Sequence, residues 1–330
     1  MQKQASQQPR SLFGRIGGWF LPKQSAGVPA NESDERLDWA RVIPYAIIHL
    51  MCLGVIWVGW SWAAVGIAAF LYALRVFTLT AFYHRYFSHR TFKTGRVTQF
   101  LFGWIGCTSV QRGPLWWAAH HRFHHVHSDD PEDLHSPRQK GILWSHFGWF
   151  LTPRAEPTNL KLIPDFAKYP ELRWLDRYDL VPPLLLAFGL YGLGELLAYC
   201  GVATTGLQML IWGMFISTVA VYHVTYLVNS ATHLIGRRRY ETKDDSKNSM
   251  IVALLTFGEG WHNNHHYYPN SVRQGFFWWE IDITWYLLKM MAGLGLVWEM
   301  RGVPKRILHG QPKKAAVPVP AVPASVTAPL

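Results

Sequence analysis

Nine histidines in this chain stand at spacings that can gather imidazoles around metal. His84 and His89 bound the run His84-Arg85-Tyr86-Phe87-Ser88-His89. His121, His124 and His125 form an H-x-x-H-H triplet, and His262, His265 and His266 form a second. His233 ends an N-x-x-x-H element that begins at Asn229. On a helix, residues three and four apart lie about 60° and about 40° apart around the axis, so each triplet can aim its rings at one point. The first pair is five apart, about 140° around an ideal helix. Those two rings converge only if the helix ends or loosens between them; otherwise they serve different ions of a metal pair.

Neutral imidazole is the commonest side-chain ligand for transition metals. One zinc takes about four ligands, so nine imidazoles are too many for it. Nine with an added amide suit two ions, each with four or five nitrogens and an open position. By analogy with the open sites of oxygenases, that set fits iron that handles dioxygen. A lone histidine on an apolar face is more often a satisfied core residue, and His49, His223 and His309 are assigned that role.

Long apolar stretches must position these residues. Only 16% of the 330 residues are charged and 49% are hydrophobic, against about 25% charged in soluble domains. From Val42 to Phe82 the only charged residue is Arg75, and from Leu180 to Thr232 the only one is Glu195. Each stretch suits two membrane spans of about 20 residues. The spans are expected near 42–60, 62–82, 180–199 and 207–230, with turns at Gly59-Trp60-Ser61-Trp62 and at 200–206. Arg75 must face the protein interior or snorkel, because an unpaired charge in hydrocarbon is costly. Val97 to Val110 and Ile142 to Leu151 are too short to cross and read as interfacial or re-entrant. Gly275 to Gly302 mixes Glu280, Asp282, Lys289 and Glu299 with apolar residues, a helix lying on the membrane or on the protein.

The expected fold is therefore an all-α integral membrane protein: four transmembrane helices under a helical cap made of 83–179 and 233–303. An irregular arm (1–37) precedes the domain at 38–303, and an irregular tail (304–330) follows it. Apart from Arg75, and Arg41 just before the first span, every Lys and Arg lies in the arm, the cap or the C-terminal region. By the positive-inside rule those segments, both termini and all nine histidines are cytosolic.

The net charge of +11 follows this topology and forms no nucleic-acid-binding stripe. The odd, scattered Cys52, Cys107 and Cys200 fit buried thiols, not disulfides or a cysteine metal site. No haem, iron–sulfur or G-x-G-x-x-G motif is present, so electrons must come from outside the chain.

These residues resemble the integral-membrane fatty acyl desaturases, of the bacterial, stearoyl-type Δ9 kind. The resemblance rests on the three histidine boxes, on Asn229 to His233, on Gly258-Glu259-Gly260-Trp261 and on Gly141 to Trp149, and covers roughly 40–303. It implies a cytosolic cap holding two irons. Carried over residue by residue, the ligands are His84, His89, His121, His124, His125, His233, His262, His265 and His266, with Asn229 reaching an iron through a water. No catalytic residue beyond these ligands is implied. His120 and His127 match no ligand position. His135 corresponds to a histidine near the substrate's polar end, although Pro131-Glu132-Asp133-Leu134-His135 departs from the family's usual Asp-Pro-His.

The implied reaction is oxygen-dependent insertion of a cis double bond into a fatty acyl chain, acyl-CoA or acyl-lipid, in unsaturated fatty acid biosynthesis. The donor would be a ferredoxin or a b-type cytochrome, and the location a bacterial cytoplasmic membrane. Aromatic residues in 97–117 and 144–150 are candidate tunnel walls. Glu259 and the acids at 129–133 are candidate acceptors for the ligand imidazoles. A membrane di-iron hydroxylase shares the boxes. A non-catalytic metal transporter or sensor would need ligands inside the spans.

Overall fold

The computed structural model describes residues 35–310. Helix α1 (Trp39–Met51) starts at Asp38, whose carboxylate accepts from Ala40 N at 3.1 Å, and it runs on through short turns to Val58. Gly59 takes φ +65°, a conformation that favours glycine. Ser61 Oγ then accepts from Ala64 N at 3.2 Å and caps α2 (Trp62–Thr78). The same helix continues as a π-helix from Leu79 to Ser88.

Helices α3 (Arg96–Cys107), α4 (Pro114–His127) and α5 (Pro170–Arg177) follow, and then α6 (Val181–Tyr199). The last span joins α7 (Gly206–Leu210), a π-helical stretch (Ile211–Ile216) and α8 (Ser217–Leu234). Beyond it come α9 (Met250–Leu255), α10 (His262–Tyr267) and α11 (Ile283–Gly293). A two-residue antiparallel pair, Lys93–Thr94 with Val297–Trp298, ties the cap together.

Among the described residues, four helical stretches are long and apolar enough to cross a membrane: Trp39–Val58, Trp62–Ser88, Val181–Tyr199 and Gly206–Leu234. Their outer faces show Trp57, Phe188 and Tyr199, as lipid-facing surfaces do. The two inter-span turns meet at one end, where Ser61 Oγ lies 3.1 Å from Thr204 Oγ1 and Trp212 Nε1 donates to Gly59 O at 2.9 Å. The second and fourth spans are 27 and 29 residues long. At about 1.5 Å per residue they exceed a ~30 Å hydrocarbon core, so their histidine-bearing ends project beyond it.

Arg75 faces inward, fully buried, and donates to Thr108 Oγ1, Ser217 Oγ and Thr218 Oγ1 at 2.9–3.3 Å. Helix α3 packs against the second span through Phe102 stacked on Phe82, with ring centroids 3.9 Å apart. Gly106 of α3 lies against Tyr83, where a Cβ would stand 2.1 Å from a ring carbon.

Several expectations are corrected. The helices that carry the second and fourth spans continue to Ser88 and Leu234, past the 82 and 230 expected for the spans themselves. Of 275–302 only Ile283–Gly293 is an α-helix, and Glu280 and Asp282 are buried acceptors, not surface charges. Cys200 is exposed at the turn end, not buried. His223 and His309 are exposed and His49 is half-buried, so none sits in a core. His49 and His223 instead join His146 in a chain of ring nitrogens 3.1–3.3 Å apart. Residues 304–310 are not irregular throughout, because Lys305–Leu308 is helical and Ile307 packs with Tyr240 and Phe276. The readings of 1–34 and 311–330 as irregular lie outside the described residues.

Candidate metal centre

The five-residue spacing of the first pair is explained by the π-helix. A π-helix bonds i to i+5, and His89 N meets His84 O at 3.2 Å in that pattern. The helix widens where it leaves the spans, so both rings face one side. His84, His89, His121, His125 and His265 have ring nitrogens within 4.8 Å of one another. His124, His233, His262 and His266 form a second such group. All nine histidines therefore come together in two sets, five and four. Helix α4 contributes to both, with His121 and His125 in one and His124 in the other, and α10 likewise divides His265 from His262 and His266.

The first set forms a chain of Nε2 contacts: His89 to His121 at 2.8 Å, His121 to His125 at 3.0 Å, His125 to His265 at 2.9 Å, and His265 to His84 at 3.0 Å. Each Nε2 can donate or accept once. A chain of five cannot satisfy all four contacts as hydrogen bonds, whereas a cation inside it satisfies every nitrogen. In the second set His266 Nε2 is buried without a partner. Burial first, and neighbouring imidazoles second, push His89, His121, His125, His262 and His265 well below the usual histidine range. Burial also brings His266 down to about 4, against the pull of Asp244. Neutral rings are the ligand form. The donor set therefore fits two nitrogen-bound transition-metal ions.

Carboxylates hold the far side of several rings. His124 Nδ1 lies 3.0 Å from Asp133, His233 Nδ1 2.9 Å from Asp129 and His266 Nδ1 2.7 Å from Asp244. His84 Nδ1 pairs with Glu259, which Arg85 also grips at 3.0 Å. Such partners set the tautomer and leave Nε2 free for a metal. Burial presses Asp129, Asp133 and Asp244 upward, but their histidine partners outweigh it and hold them well below the usual carboxylate range.

Of the acids at 129–133, Asp129 and Asp133 thus turn inward, while Asp130 and Glu132 stay exposed. Glu259 also stands where the sequence proposed an acceptor. Asp244, Gln274 and Asp282 were not foreseen. Asp244 is 22 residues from His266 with no local spacing to reveal it, and only the fold joins them.

A cavity of about 120 Å³ reaches this centre. Trp116, Trp117, Trp149 and Phe150 line it, and so do His121, Asn229 and His135. Two arginines also line it, Arg41 and Arg112, and keep buried nitrogens without a hydrogen-bond partner. Arg41 lies near the start of the first span, at the end of the bundle where the histidines sit. Asn229 stands four residues before His233 on α8, and its backbone oxygen accepts from Ser145 Oγ at 3.1 Å. His120 is bonded to Trp116 O at 2.9 Å and stands outside both metal groups, as does His127. His135 stacks near His124 with ring centroids 4.2 Å apart, and burial lowers it to about 3.

Comparisons with known proteins bear on this geometry. The profile of the fatty acid desaturase family matches residues 60–300. The chain is 36% identical over 292 residues to an sn-2 palmitoyl-lipid 9-desaturase of Nostoc sp. (strain 36), covering 87% of this chain and 96% of that protein. It is 36% identical over 280 residues to an sn-1 stearoyl-lipid 9-desaturase of Anabaena variabilis, covering 84% and 98%. It is 34% identical over 296 residues to an acyl-CoA 5-desaturase of Anemone leveillei, covering 86% and 88%.

Proposed function

The chain belongs to the fatty acid desaturase family, and from that membership we propose that it places a cis double bond within the acyl chain of a membrane lipid. One observation carries the reading: two buried histidine groups, five and four, adjoin a single aromatic-lined cavity through His121. We assign His84, His89, His121, His125 and His265 to one iron and His124, His233, His262 and His266 to the other, with Asn229 reaching the second through a water. An iron pair held there would supply oxygen-dependent removal of hydrogen from unactivated methylenes, which no side-chain acid or base can do.

The protein's part is positioning. Trp116, Trp117 and Trp149 confine an acyl chain beside His121. The buried Arg41 and Arg112 nitrogens offer donors at the membrane edge, where a lipid ester carbonyl stands. Asp38, Glu156 and Asp179 already lie beside these arginines at 3.4–3.6 Å, which leaves donors for a neutral carbonyl more than surplus charge for an anion. Arg112 stands just before α4, and His121 lies seven residues into that helix, roughly 10 Å of helical rise, so the bond attacked is well inside the chain. The two curated lipid desaturases named above act on lipid-borne chains, and that favours a lipid over acyl-CoA here. Electrons come from an external donor, a ferredoxin or a b-type cytochrome, meeting the cap on the cytosolic side of the membrane.

The test is expression in a desaturase-deficient host followed by lipid analysis. A new mid-chain alkene in intact lipid is expected. An alcohol as the sole product overturns the reading in favour of a hydroxylase, and an alkene found only when acyl-CoA is supplied overturns the lipid assignment.

A further inference from the structure

We propose that the two metal positions differ in reduction potential and that the five-histidine position accepts the first electron. The inference rests on the iron-pair reading above. It comes from the carboxylates behind the imidazoles, which are distributed unequally.

In the four-histidine group three of the four rings are backed by acids: His124 by Asp133, His233 by Asp129 and His266 by Asp244. All three acids are buried. Their remaining partners carry no charge. Asp129 takes Ser136 Oγ and Asp245 N, Asp133 takes the backbone N–H groups of Asp129 and His135, and Asp244 takes Ser246. Among the described residues, none of the three pairs with a Lys or Arg.

In the five-histidine group only His84 meets an acid, Glu259. That acid is shared with the fully buried Arg85, whose Nη2 and Nε stand 3.0 and 3.2 Å away. Arg85 also holds Asp282 at 2.9 Å. Arg85 offsets one of these two acids, so one net negative charge stands behind this group and three stand behind the other.

Buried negative charge stabilises the more positive oxidation state of a nearby ion. A carboxylate on a ligand's Nδ1–H also makes that imidazole a stronger donor. Both effects lower the potential. The four-histidine position therefore retains ferric ion. When a one-electron donor of the ferredoxin or cytochrome class delivers its first electron, ferric becomes ferrous at the five-histidine position and no bond is broken. That group includes His121, which lines the cavity, as Asn229 does on the side of the other ion, so the first reduced ion would be one that borders the acyl chain.

The experiment is a potentiometric titration of the iron-loaded, detergent-solubilised full chain, with the half-reduced pair followed by electron paramagnetic resonance and iron content measured in every sample. Asp244→Asn should raise the lower potential and bring the two together, decreasing the comproportionation constant at least tenfold, about 59 mV for one electron. Glu259→Gln should raise the upper potential and spread them. Asp244→Glu should restore the wild-type separation. If Asp244→Asn fails to retain two irons, Asp129→Asn takes its place with the same expected direction. A change in the separation of the two potentials that has the same sign for Asp244→Asn and Glu259→Gln, or no change in the loaded Asp244→Asn or Asp129→Asn protein, overturns the proposal while the iron-pair reading stands. A wild-type chain that forms alkene without two irons overturns both.

Discussion

At the scale of single residues, burial favours the neutral form of His89, His121, His125, His262, His265 and His266, and acids back four of the nine proposed ligands, His84, His124, His233 and His266. His124→Ala and His265→Ala each remove a ring from one set. Desaturation should fall below detection in both, with iron content dropping from two toward one per chain while the protein still inserts in membranes. Activity retained in either variant would refute the ligand assignment. Asp179, beside Arg112, makes a different prediction. Burial pushes its carboxyl up to about 6 against the pull of Arg112. The folded state then holds the proton more tightly than the unfolded chain, whose carboxyl titrates near the ordinary ~3.9. The resulting stabilisation is complete below that value and is lost as pH rises through about 6. The unfolding temperature of Asp179→Asn relative to wild type should therefore rise by a few degrees between pH 4 and pH 7. An unchanged difference across that range would show that burial does not govern this group.

At the scale of elements, the π-helix at Leu79–Ser88 has the clearest consequence. An H-x-x-x-x-H spacing looks wrong on an α-helix and right on this wider one. This π-helical stretch packs against α3 and α4. Gly106 marks the tightest part of that packing, because any side chain there meets the Tyr83 ring. Gly106→Ala should lower stability by about 1–3 kcal/mol as an overpacked core substitution. A fall of several degrees in the unfolding temperature of the detergent-solubilised protein would register it. A variant as stable as wild type would mean that Tyr83 moves aside freely.

At the scale of the whole molecule, the spans bring every ligand element to one end of the bundle and both inter-span turns to the other. From the positive-inside rule we propose that the ligand end faces the cytosol. Cys200 reports on this directly: it is exposed at the turn end, while Cys107 is buried and Cys52 lies half-buried within the first span. A membrane-impermeant thiol reagent should label Cys200 in intact cells. Labelling that requires broken cells would invert the proposed orientation.

Much of this was legible in the residues themselves. Hydrophobic runs of membrane-spanning length, a basic excess outside them and repeated H-x-x-H-H spacing are local properties, and each carries its physical meaning without a partner. The four-span architecture, the nine histidines and Glu259 could therefore be read from the chain alone. What depends on distant partners could not. The division of the histidines into five and four, the π-helical bend that unites His84 with His89, and the pairing of Asp244 with His266 all join residues through the packed helices. Sequence spacing predicts which side chains share a helix face. Only the tertiary structure decides which faces meet, and so where the buried charge behind each metal position lies.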